Sequence, residues 1–423
     1  MARKMKDSGI EWIGEIPEGW EVAPLKRFAS IQTGNTPTKT SDSNYYASTG
    51  IPWIKPDNLG YSHSISKTSE YLTSEGALCA RIMPPNTVYV CCIGSLGKVG
   101  YSSISCACNQ QINALIFNDL MFWKYGYYLT IAQESQYLLF GNGNVLQIIN
   151  STSQGNIACV LPPLENQHLI ACYLDSVYSD IEVLIAKARS SIEEYKKLKQ
   201  AVITQAVTKG VRSEREMKDS GVEWIGKVPS KWNCIKIKYL FEIRKRIAGK
   251  EGYTVLSITQ TGIKPKNISS NEGQLADSYS NYQLLHFGEF AMNHMDLLTG
   301  WVDISNYNGV TSPDYRVFSL KDTITNHPRY FLYLMQMCYF NRIFYSMAQG
   351  VSNLGRWRLQ SDKFLNCIFP VPSIEEQKEI SDYLDTTCSE IDKLIAKKEQ
   401  LVKELESYKK SLIYEVVTGK REV

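Results

Sequence analysis

Two long stretches of the chain place apolar residues at alternating steps of three and four. The first runs from Leu174 to Val202 and the second from Leu384 to Leu412. This period is typical of a coiled-coil seam. The residues predicted to form the helix-helix seam are Leu174, Ile181, Leu184, Leu198, Leu384, Ile391, Leu394 and Leu405.

Both stretches have the sequence signals of uninterrupted helices. A proline-containing segment precedes each one, at residues 161–164 and 369–372, and no proline follows inside it. Because proline cannot continue a helix interior, these segments mark helix starts. Each predicted helix has about 40 residues and reaches roughly 60 Å. One apolar stripe cannot stay exposed to water, so we predict an antiparallel pair. The alternative is that each helix packs on its own globular domain.

The chain contains an internal repeat. Residues 5–14 read Met-Lys-Asp-Ser-Gly-Ile-Glu-Trp-Ile-Gly, and residues 217–226 repeat them with Val222 in place of Ile10. The segment Leu-Ile-Ala-Lys at 184–187 recurs at 394–397. Between these shared segments, the two halves hardly resemble each other. A common frame with different contents predicts one scaffold that presents two recognition surfaces.

The two divergent regions have mixed secondary-structure signals. Short strand-like runs at 87–90 and 253–258 lie between turn residues, and an aromatic-rich helical stretch follows in each half. We therefore predict an α+β fold with two globular α+β domains, separated by two long helices that form an antiparallel coiled coil, in a pseudo-two-fold internal repeat. The predicted boundaries are 1–163 for the first domain, 164–212 for the first helix, 213–372 for the second domain and 373–423 for the second helix.

Composition narrows the class of protein. The chain is 43% apolar and 21% charged with a formal net charge of +3, as in an ordinary globular protein. This charge alone is weak support for a nucleic-acid partner. Its eleven cysteines lack metal-finger spacing, which favours free thiols in a reducing compartment. The first residues are basic but precede polar ones, so we expect no signal peptide and a cytoplasmic location.

No catalytic motif can be defended. The segment Gly94-Ser95-Leu96-Gly97-Lys98 fails as a phosphate loop, because its glycines are too close together and Val99 follows the lysine. The histidines form neither a metal motif nor a nucleophile-base arrangement. We therefore predict a non-catalytic protein with no catalytic residues and no metal site.

Taken together, the repeated motifs resemble the specificity subunit of a type I restriction-modification enzyme. The resemblance covers essentially the whole chain. It depends on the duplicated opening at 5–20 and 217–232, the phrase Ile-Pro-Trp-Ile-Lys-Pro-Asp-Asn-Leu at 51–59, the Pro-x-Pro-x-x-Glu-x-Gln type of entry at each helix, and the Val-Thr helix ends at 207–208 and 417–418.

This resemblance implies a DNA-binding function. The divergent regions would be target recognition domains, each reading one half of a bipartite, asymmetric target in double-stranded DNA, and the helices would set the unread gap. It also implies two methyltransferase subunits docked on this chain, with two motor-nuclease subunits added for cleavage. No cofactor is expected in this chain, since S-adenosylmethionine, ATP and magnesium would belong to those partners.

Base reading requires side chains with paired donors and acceptors, such as Asn or Gln for adenine and Arg or Lys for guanine. Such groups usually lie on loops. The predicted DNA-binding residues of the first domain are Lys55, Asn58, Ser95, Lys98, Asn109, Gln110, Asn142 and Asn144. Those of the second domain are Arg244, Arg246, Lys264, Asn293, Asn308, Asn353, Arg356 and Arg358. For each, the alternative is ordinary turn chemistry.

A rival function from another class is a protein-protein scaffold with two binding modules. In that case the basic clusters would be incidental, and affinity for random duplex would not fall steeply with salt.

Overall fold

The long helices organise the chain into two units. The computed structural model describes residues 3–37, 44–60, 64–142, 147–267, 276–348 and 357–423. Unit 1 comprises Met1–Ser190 with Glu399–Val423, and unit 2 comprises Ser191–Lys398. Each long helix therefore contributes one part to each unit.

Unit 1 contains a mixed sheet structure. Its strands are β1 (Met5–Asp7), β2 (Glu15–Pro17), β3 (Glu21–Pro24), β4 (Ala29–Thr33), β5 (Tyr46–Ala47), β6 (Ile51–Ile54), β7 (Tyr71–Leu72), β8 (Ile82–Met83), β9 (Thr87–Cys91), β10 (Val99–Ser102), β11 (Cys106–Cys108), β12 (Ile112–Phe117) and β13 (Ala158–Leu161). Its helices are α1 (Ser74–Cys79), α2 (Trp123–Ala132), α3 (Glu134–Phe140), α4 (Ser151–Gly155) and the first part of α5 (Leu164–Lys209). Short 3-10 helices lie at Leu25–Arg27 and Pro56–Asn58. One sheet has the order β10-β9-β12-β4, and another has the order β5-β7-β6-β11-β8.

Unit 2 repeats the same plan after the end of α5. Its strands are β14 (Met217–Asp219), β15 (Lys227–Pro229), β16 (Asn233–Lys236), β17 (Phe241–Arg244), β18 (Leu256–Thr259), β19 (Gly262–Pro265), β20 (Gln283–Leu285), β21 (Phe290–Met292), β22 (Val302–Ile304), β23 (Gly309–Thr311), β24 (Arg316–Leu320) and β25 (Ile368–Val371). Its helices are α6 (Ile237–Leu240), α7 (Pro328–Phe340), α8 (Ile343–Ser346), α9 (Ser361–Asn366) and the first part of α10 (Ile374–Val417). Its four-stranded sheet has the order β17-β24-β21-β22.

The two long helices run antiparallel where they pair. In unit 1, Arg189 and Lys409 form ion pairs with Glu406 and Glu182, at 2.7 and 2.5 Å. In unit 2, Lys199 contacts Asp392 at 2.7 Å, and Arg212, just after the end of α5, contacts Glu379 at 2.6 Å. In both units, higher numbers on α5 face lower numbers on α10. The predicted α+β fold with an antiparallel helix pair is therefore confirmed.

Each helix part also packs on the globular domain of its unit. In unit 1, Leu174 and Ile181 of α5 share one buried core with Ile413 of α10 and with Tyr125 and Tyr128 of α2. The alternative raised from the sequence, packing on a domain, thus occurs together with helix pairing, because the helices present apolar side chains on more than one face.

A buried tyrosine marks the repeated frame. Tyr125 donates to the backbone carbonyl of Val160 at 2.9 Å or to that of Val417 at 3.0 Å. In unit 2, Tyr330 has the carbonyls of Pro370 and Val207 at 2.8 and 3.1 Å. In each unit, the tyrosine therefore joins α2 or α7 to a strand and to the last turn of the long helix that ends there.

The predicted seam register needs a correction. Leu174, Ile181, Leu384 and Ile391 are buried and Leu405 is half-buried, but Leu184, Leu198 and Leu394 are 51%, 49% and 42% exposed. From Leu174 the buried or half-buried stripe takes steps of four and then three, through Tyr178, Ile181, Ile185, Ala188, Ile192, Tyr195 and Lys199. The alternate positions were therefore placed one residue too early. Val177, Leu184 and Leu198 are apolar, so the apolar pattern did not single out their buried or half-buried neighbours Tyr178, Ile185 and Lys199.

Among the described residues, no helix combines the length and the apolar composition that crossing a bilayer would require.

Candidate nucleic-acid interface

The first group of predicted DNA-binding residues in unit 1 follows two parallel strands. β6 and β11 pair in parallel, with Cys108 opposite Ile54, and the Asn109 amide donates to the Ile54 carbonyl at 3.1 Å. Lys55 and Asn58 follow β6, while Asn109 and Gln110 follow β11. The carboxyl ends of parallel strands lie at one edge, so these four residues come together.

A second group lies on adjoining turns. Ser95 and Lys98 are exposed in the turn between β9 and β10. The Gly94 amide donates to the Gln147 carbonyl at 3.0 Å, and the exposed Asn142 pairs through its backbone with Ile148 at 2.9 Å. The Cys92 amide donates to the Gln111 carbonyl at 2.8 Å, which joins this group to the first. Asn144 lies outside the described residues.

Several of these side chains already have partners. Lys55 forms a 2.7 Å ion pair with Glu70 and lies 4.8 Å from the centre of the Trp53 ring. Asn58 accepts from the Lys55 amide at 2.9 Å, as expected of a helix cap. Asn109 is buried and bonds both ways with Gln111. These contacts match the turn-chemistry alternative, and DNA contact by the three stays a prediction.

Gln110, Ser95, Lys98 and Asn142 are the exposed members in unit 1. The Gln110 side chain accepts a hydrogen bond from the Thr36 hydroxyl. Arg81 was missed by sequence reasoning, although it is exposed near the same edge and donates to the Thr33 carbonyl at 2.6 Å. A lone arginine before a strand gave no sequence signal for this position.

In unit 2 as well, some of the predicted residues already have partners and others are exposed. Arg244 contacts Glu242 at 3.0 Å, and Arg246 forms an ion pair with Glu289. The side-chain oxygen of Asn293 accepts the Met295 amide, as in an ordinary turn, and that of Asn308 accepts the Phe287 amide from a segment distant in sequence.

Lys264 on β19 and Arg358 are exposed. Asn353 and Arg356 lie outside the described residues.

Beside Arg358 lies a buried basic group that sequence reasoning missed. Arg316 on β24 is 4% exposed, and it donates to the Leu359 carbonyl at 2.9 Å and to the Ser361 hydroxyl at 3.3 Å. Its guanidinium lies 4.6 Å from the centre of the Phe364 ring. Its position within a strand resembled ordinary alternation, so no sequence signal marked it.

His294 adjoins this arginine and is 7% exposed. Burial, together with the positive charges of Arg316 and Arg358, lowers the pKa of His294 to about 3. Burial likewise lowers the pKa of Arg316 to about 10. At neutral pH the imidazole is therefore uncharged and the Arg316 guanidinium is charged.

No set of three or more His, Cys, Asp or Glu side chains is arranged to hold a metal ion within the part of the chain that the structure describes. The free cysteines Cys91, Cys92, Cys106 and Cys108 are buried in unit 1, and burial raises the pKa of each thiol. They are therefore protonated packing residues rather than thiolate ligands.

The chain contains two repeated α+β domains. Each has polar loops at one edge and packs on paired long helices, and this arrangement defines a two-module binding protein. Residues 17–194 and 229–404 match the family model for the type I restriction modification DNA specificity domain. The chain therefore belongs to this family of DNA sequence-specificity subunits.

Curated relatives agree with this assignment. The chain is 24% identical over 422 residues to the type I restriction enzyme MjaVIII specificity subunit of Methanocaldococcus jannaschii, covering 96% of this chain and 93% of that protein. It is 30% identical over 156 residues to the HindI specificity subunit of Haemophilus influenzae, covering 36% of this chain and 33% of that protein.

Two solved structures share the fold. One comes from work on the structural basis of complex assembly and conformational transition of the type I R-M system, with a TM-score of 0.70 at 12% identity and coverage of 96% and 99% of the two chains. The HsdS subunit from Thermoanaerobacter tengcongensis gives a TM-score of 0.50 at 13% identity, with coverage of 96% and 98%.

Proposed function

We propose that each recognition domain reads one half of a bipartite, asymmetric DNA target. The observation that carries this proposal is the repetition of one frame around different loops. Tyr125 and Tyr330 make equivalent hydrogen bonds in the two units, whereas Gln110 and Lys98 of unit 1 have no sequence counterparts in unit 2. Two unlike surfaces on equivalent frames suit two unlike half-sites.

Domain replacement tests this division. Residues 32–156 would be exchanged for the matching region of another family member, and methylated adenines would be mapped across the genome of a host that carries the methyltransferase. We expect one half of the methylated motif to change and the other to persist. The matched exchange of residues 243–366 should change the opposite half. A change in both halves after either single exchange would contradict the two-module proposal.

The unread gap is proposed to depend on helix length. α5 and α10 have 46 and 44 residues and are continuous along those lengths. Inserting four residues at matched levels of both helices adds about 6 Å of helix, close to two base-pair steps of roughly 3.4 Å. We expect a longer gap with both half-sites retained. An unchanged gap would exclude the helices as the spacer.

Exposed apolar side chains that lie outside the corrected seam are candidate contacts for partner subunits. In unit 1, Leu184 and Tyr408 are exposed, and in unit 2, Leu198 and Leu394 are exposed. Exposed apolar side chains at heptad spacing are suited to helices from another protein. We propose that each unit docks one methyltransferase subunit here, and that two motor-nuclease subunits join the complex for cleavage.

Native mass spectrometry tests this docking. The double substitution Leu198→Gln with Leu394→Gln should leave a complex with one methyltransferase subunit instead of two. Leu78→Gln provides a control, because this exposed leucine lies in the recognition domain of unit 1. Retention of two methyltransferase subunits by the double variant would exclude this surface.

We further propose that the chain itself is not catalytic, and that S-adenosylmethionine, ATP and magnesium are bound by its partners. The purified chain should neither cleave DNA nor transfer methyl groups when supplied with these three compounds. Activity that copurifies with the chain alone, and that persists after removal of partner subunits, would refute this proposal.

Salt dependence separates a DNA reader from a protein-protein scaffold. A reader that contacts several phosphates should lose affinity by orders of magnitude between about 50 and 200 mM salt, even on random duplex. A scaffold would bind duplex weakly at every salt concentration.

A further inference from the structure

The two units place different side chains at one equivalent position. In unit 1, the Ile149 amide donates to the Cys92 carbonyl at 3.0 Å; in unit 2, the Leu359 amide donates to the His294 carbonyl at the same distance. Next to these pairs, Asn113 is in register with Val90, and Arg316 with Met292. The backbone thus matches Cys92 with His294, Asn113 with Arg316, and Ile148 with Arg358.

In unit 1, this position is electrically neutral and internally bonded. The buried Asn113 donates to the Gln154 side chain at 2.7 Å and accepts from the Thr33 hydroxyl at 2.8 Å. Cys92 is buried beside it, and Ile148 is 43% exposed. Nothing at this position requires an outside partner.

In unit 2, the same position concentrates positive charge. Among the described residues, no carboxylate lies within ion-pair distance of Arg316 or Arg358. Within the described part of the chain, Nδ1 of the buried His294 side chain also has no hydrogen-bond partner. Because a buried charge and a buried unpaired polar atom both cost free energy, folding alone does not account for this arrangement.

Arg316 also fixes the segment that carries Arg358. Its hydrogen bonds to the Leu359 carbonyl and the Ser361 hydroxyl hold the backbone on the carboxyl side of Arg358. The His294 carbonyl accepts the Leu359 amide at 3.0 Å and holds the same segment from another side. A guanidinium supported in this way loses little freedom on binding, which favours affinity.

We propose that Arg358 binds an electron-rich oxygen acceptor of the target duplex, and that Arg316 and His294 position Arg358. This inference rests on the proposed function. The uncompensated charge favours a phosphate oxygen, which a planar guanidinium can hold by two hydrogen bonds. The other source of the same chemistry is the guanine edge, with its O6 and N7 acceptors. Unit 1 has no cation at the matched position, so this contact belongs to one half-site.

The experiment compares the full-length chain with its Arg358→Gln variant, each assembled with methyltransferase subunits, on duplexes that contain the target. We expect about 10-fold or greater loss of affinity. If the acceptor is a phosphate, the loss is similar for all sequences and the salt slope falls by about one. If the acceptor is guanine, discrimination relaxes at one base pair of one half-site.

Two control variants make the result specific. Lys231→Gln removes one exposed positive charge elsewhere in unit 2, and it should alter affinity far less. Ile148→Gln changes the equivalent position in unit 1 and should leave the salt slope unchanged. Wild-type affinity and salt slope for Arg358→Gln would overturn this inference while leaving the DNA-binding function intact. Failure of the wild-type assembly to bind its target would instead contradict the proposed function.

Arg316→Lys tests the positioning role separately. Lysine keeps the positive charge but lacks the planar set of donors that reaches both Leu359 and Ser361. We expect weaker binding of the target duplex with unchanged circular dichroism, and no further loss when Arg316→Lys is added to Arg358→Gln. Independent, additive losses in the double variant would exclude positioning through Arg358.

Discussion

Gln167 in unit 1 and Gln377 in unit 2 make the same three hydrogen bonds. Gln167 accepts from the Phe122 amide at 2.7 Å and donates to two carbonyls, and Gln377 does the same with the His327 amide at 2.8 Å. A buried strand position shows the opposite relation, because the neutral Asn113 on β12 in unit 1 corresponds to the charged Arg316 on β24 in unit 2. The helix-domain contact is therefore shared by the units, whereas this strand position differs between them.

The largest expected effect comes from breaking the shared contact. Gln167→Ala and Gln377→Ala each leave one buried carbonyl, together with a partly buried amide and a partly buried carbonyl, without this partner. We therefore expect a loss of about 3 kcal/mol in the free energy of unfolding. Chemical unfolding measures the loss, and hydrogen exchange at Phe122 and His327 shows which unit opens. The exposed Gln200→Ala on α5 is the control. Losses that differ by several kcal/mol would show that the two contacts are not equivalent.

A glycine near the end of each long helix sharpens the comparison. Gly419 and Gly210 both have positive φ, at 73° and 77°. An added Cβ would lie 2.5 Å from the Pro17 ring at Gly419, but 2.9 Å from the flexible ends of Arg215 and Glu376 at Gly210.

We therefore expect Gly419→Ala to cost more than Gly210→Ala in thermal unfolding. The second should cost about 1–2 kcal/mol from backbone strain alone. Gly249→Ala, with positive φ and open space around it, measures that strain by itself. Equal costs for all three would show that the contact with Pro17 is unimportant.

Acid should destabilise unit 2 through His294. Burial and two arginines lower the pKa of His294 to about 3 in the folded state, whereas an unfolded histidine titrates near its ordinary value of 6.5. The unfolded state therefore binds the extra proton between these pH values, and stability falls as the pH is lowered, by up to about 1.4 kcal/mol per pH unit.

The variant His294→Gln should show a shallower dependence of unfolding free energy on pH between pH 6 and about pH 4. Cys92→Ala, at the matched position of unit 1, should leave the dependence unchanged. An identical slope for His294→Gln and the wild type would show that the buried imidazole does not control this response.

The smallest effect is expected for exposed ion pairs made by the long helices, one between α5 and α10 and one between α10 and the segment that follows α5. Arg189 with Glu406 in unit 1 and Arg212 with Glu379 in unit 2 have largely exposed side chains. Double-mutant cycles should give coupling energies below about 1 kcal/mol for both pairs. A coupling of several kcal/mol in one unit would reveal an asymmetry of the helix pair that the exposure of these side chains does not predict.

Much of the fold could be predicted because long-period patterns are redundant. α5 begins at Leu164 and α10 at Ile374, immediately after the prolines that marked their starts. The seam was harder, because Leu184 and Ile185 are adjacent and both apolar, and periodicity alone does not choose between them. Lys199 and Lys409 occupy seam positions by burying their stems and bonding their ammonium groups to Asp392 and Glu182, which a binary pattern does not record. Tyr178 occupies another through its ring, which lies beside the Lys409 ammonium group.

The candidate interface was predictable only in part. Loop residues such as Lys98 and Arg358 were selected by type and proved to be exposed. Lys55 and Asn58 were selected by the same criterion, but Glu70 and the backbone of a 3-10 helix occupy their side chains. Arg316 and His294 were not selected, because their environment consists of residues distant in sequence.

The sequence by itself determined the duplication, the two long helices, the α+β class and the family, because each depends on local periodicity or on repeated sequence motifs. Only the tertiary structure decided which heptad positions are buried and that an uncompensated Arg316 lies beneath Arg358 in one unit alone. Burial, charge compensation and hydrogen-bond partners arise from residues brought together across the chain, as when Arg316 meets Leu359. Such pairings have no local signature in the order of amino acids.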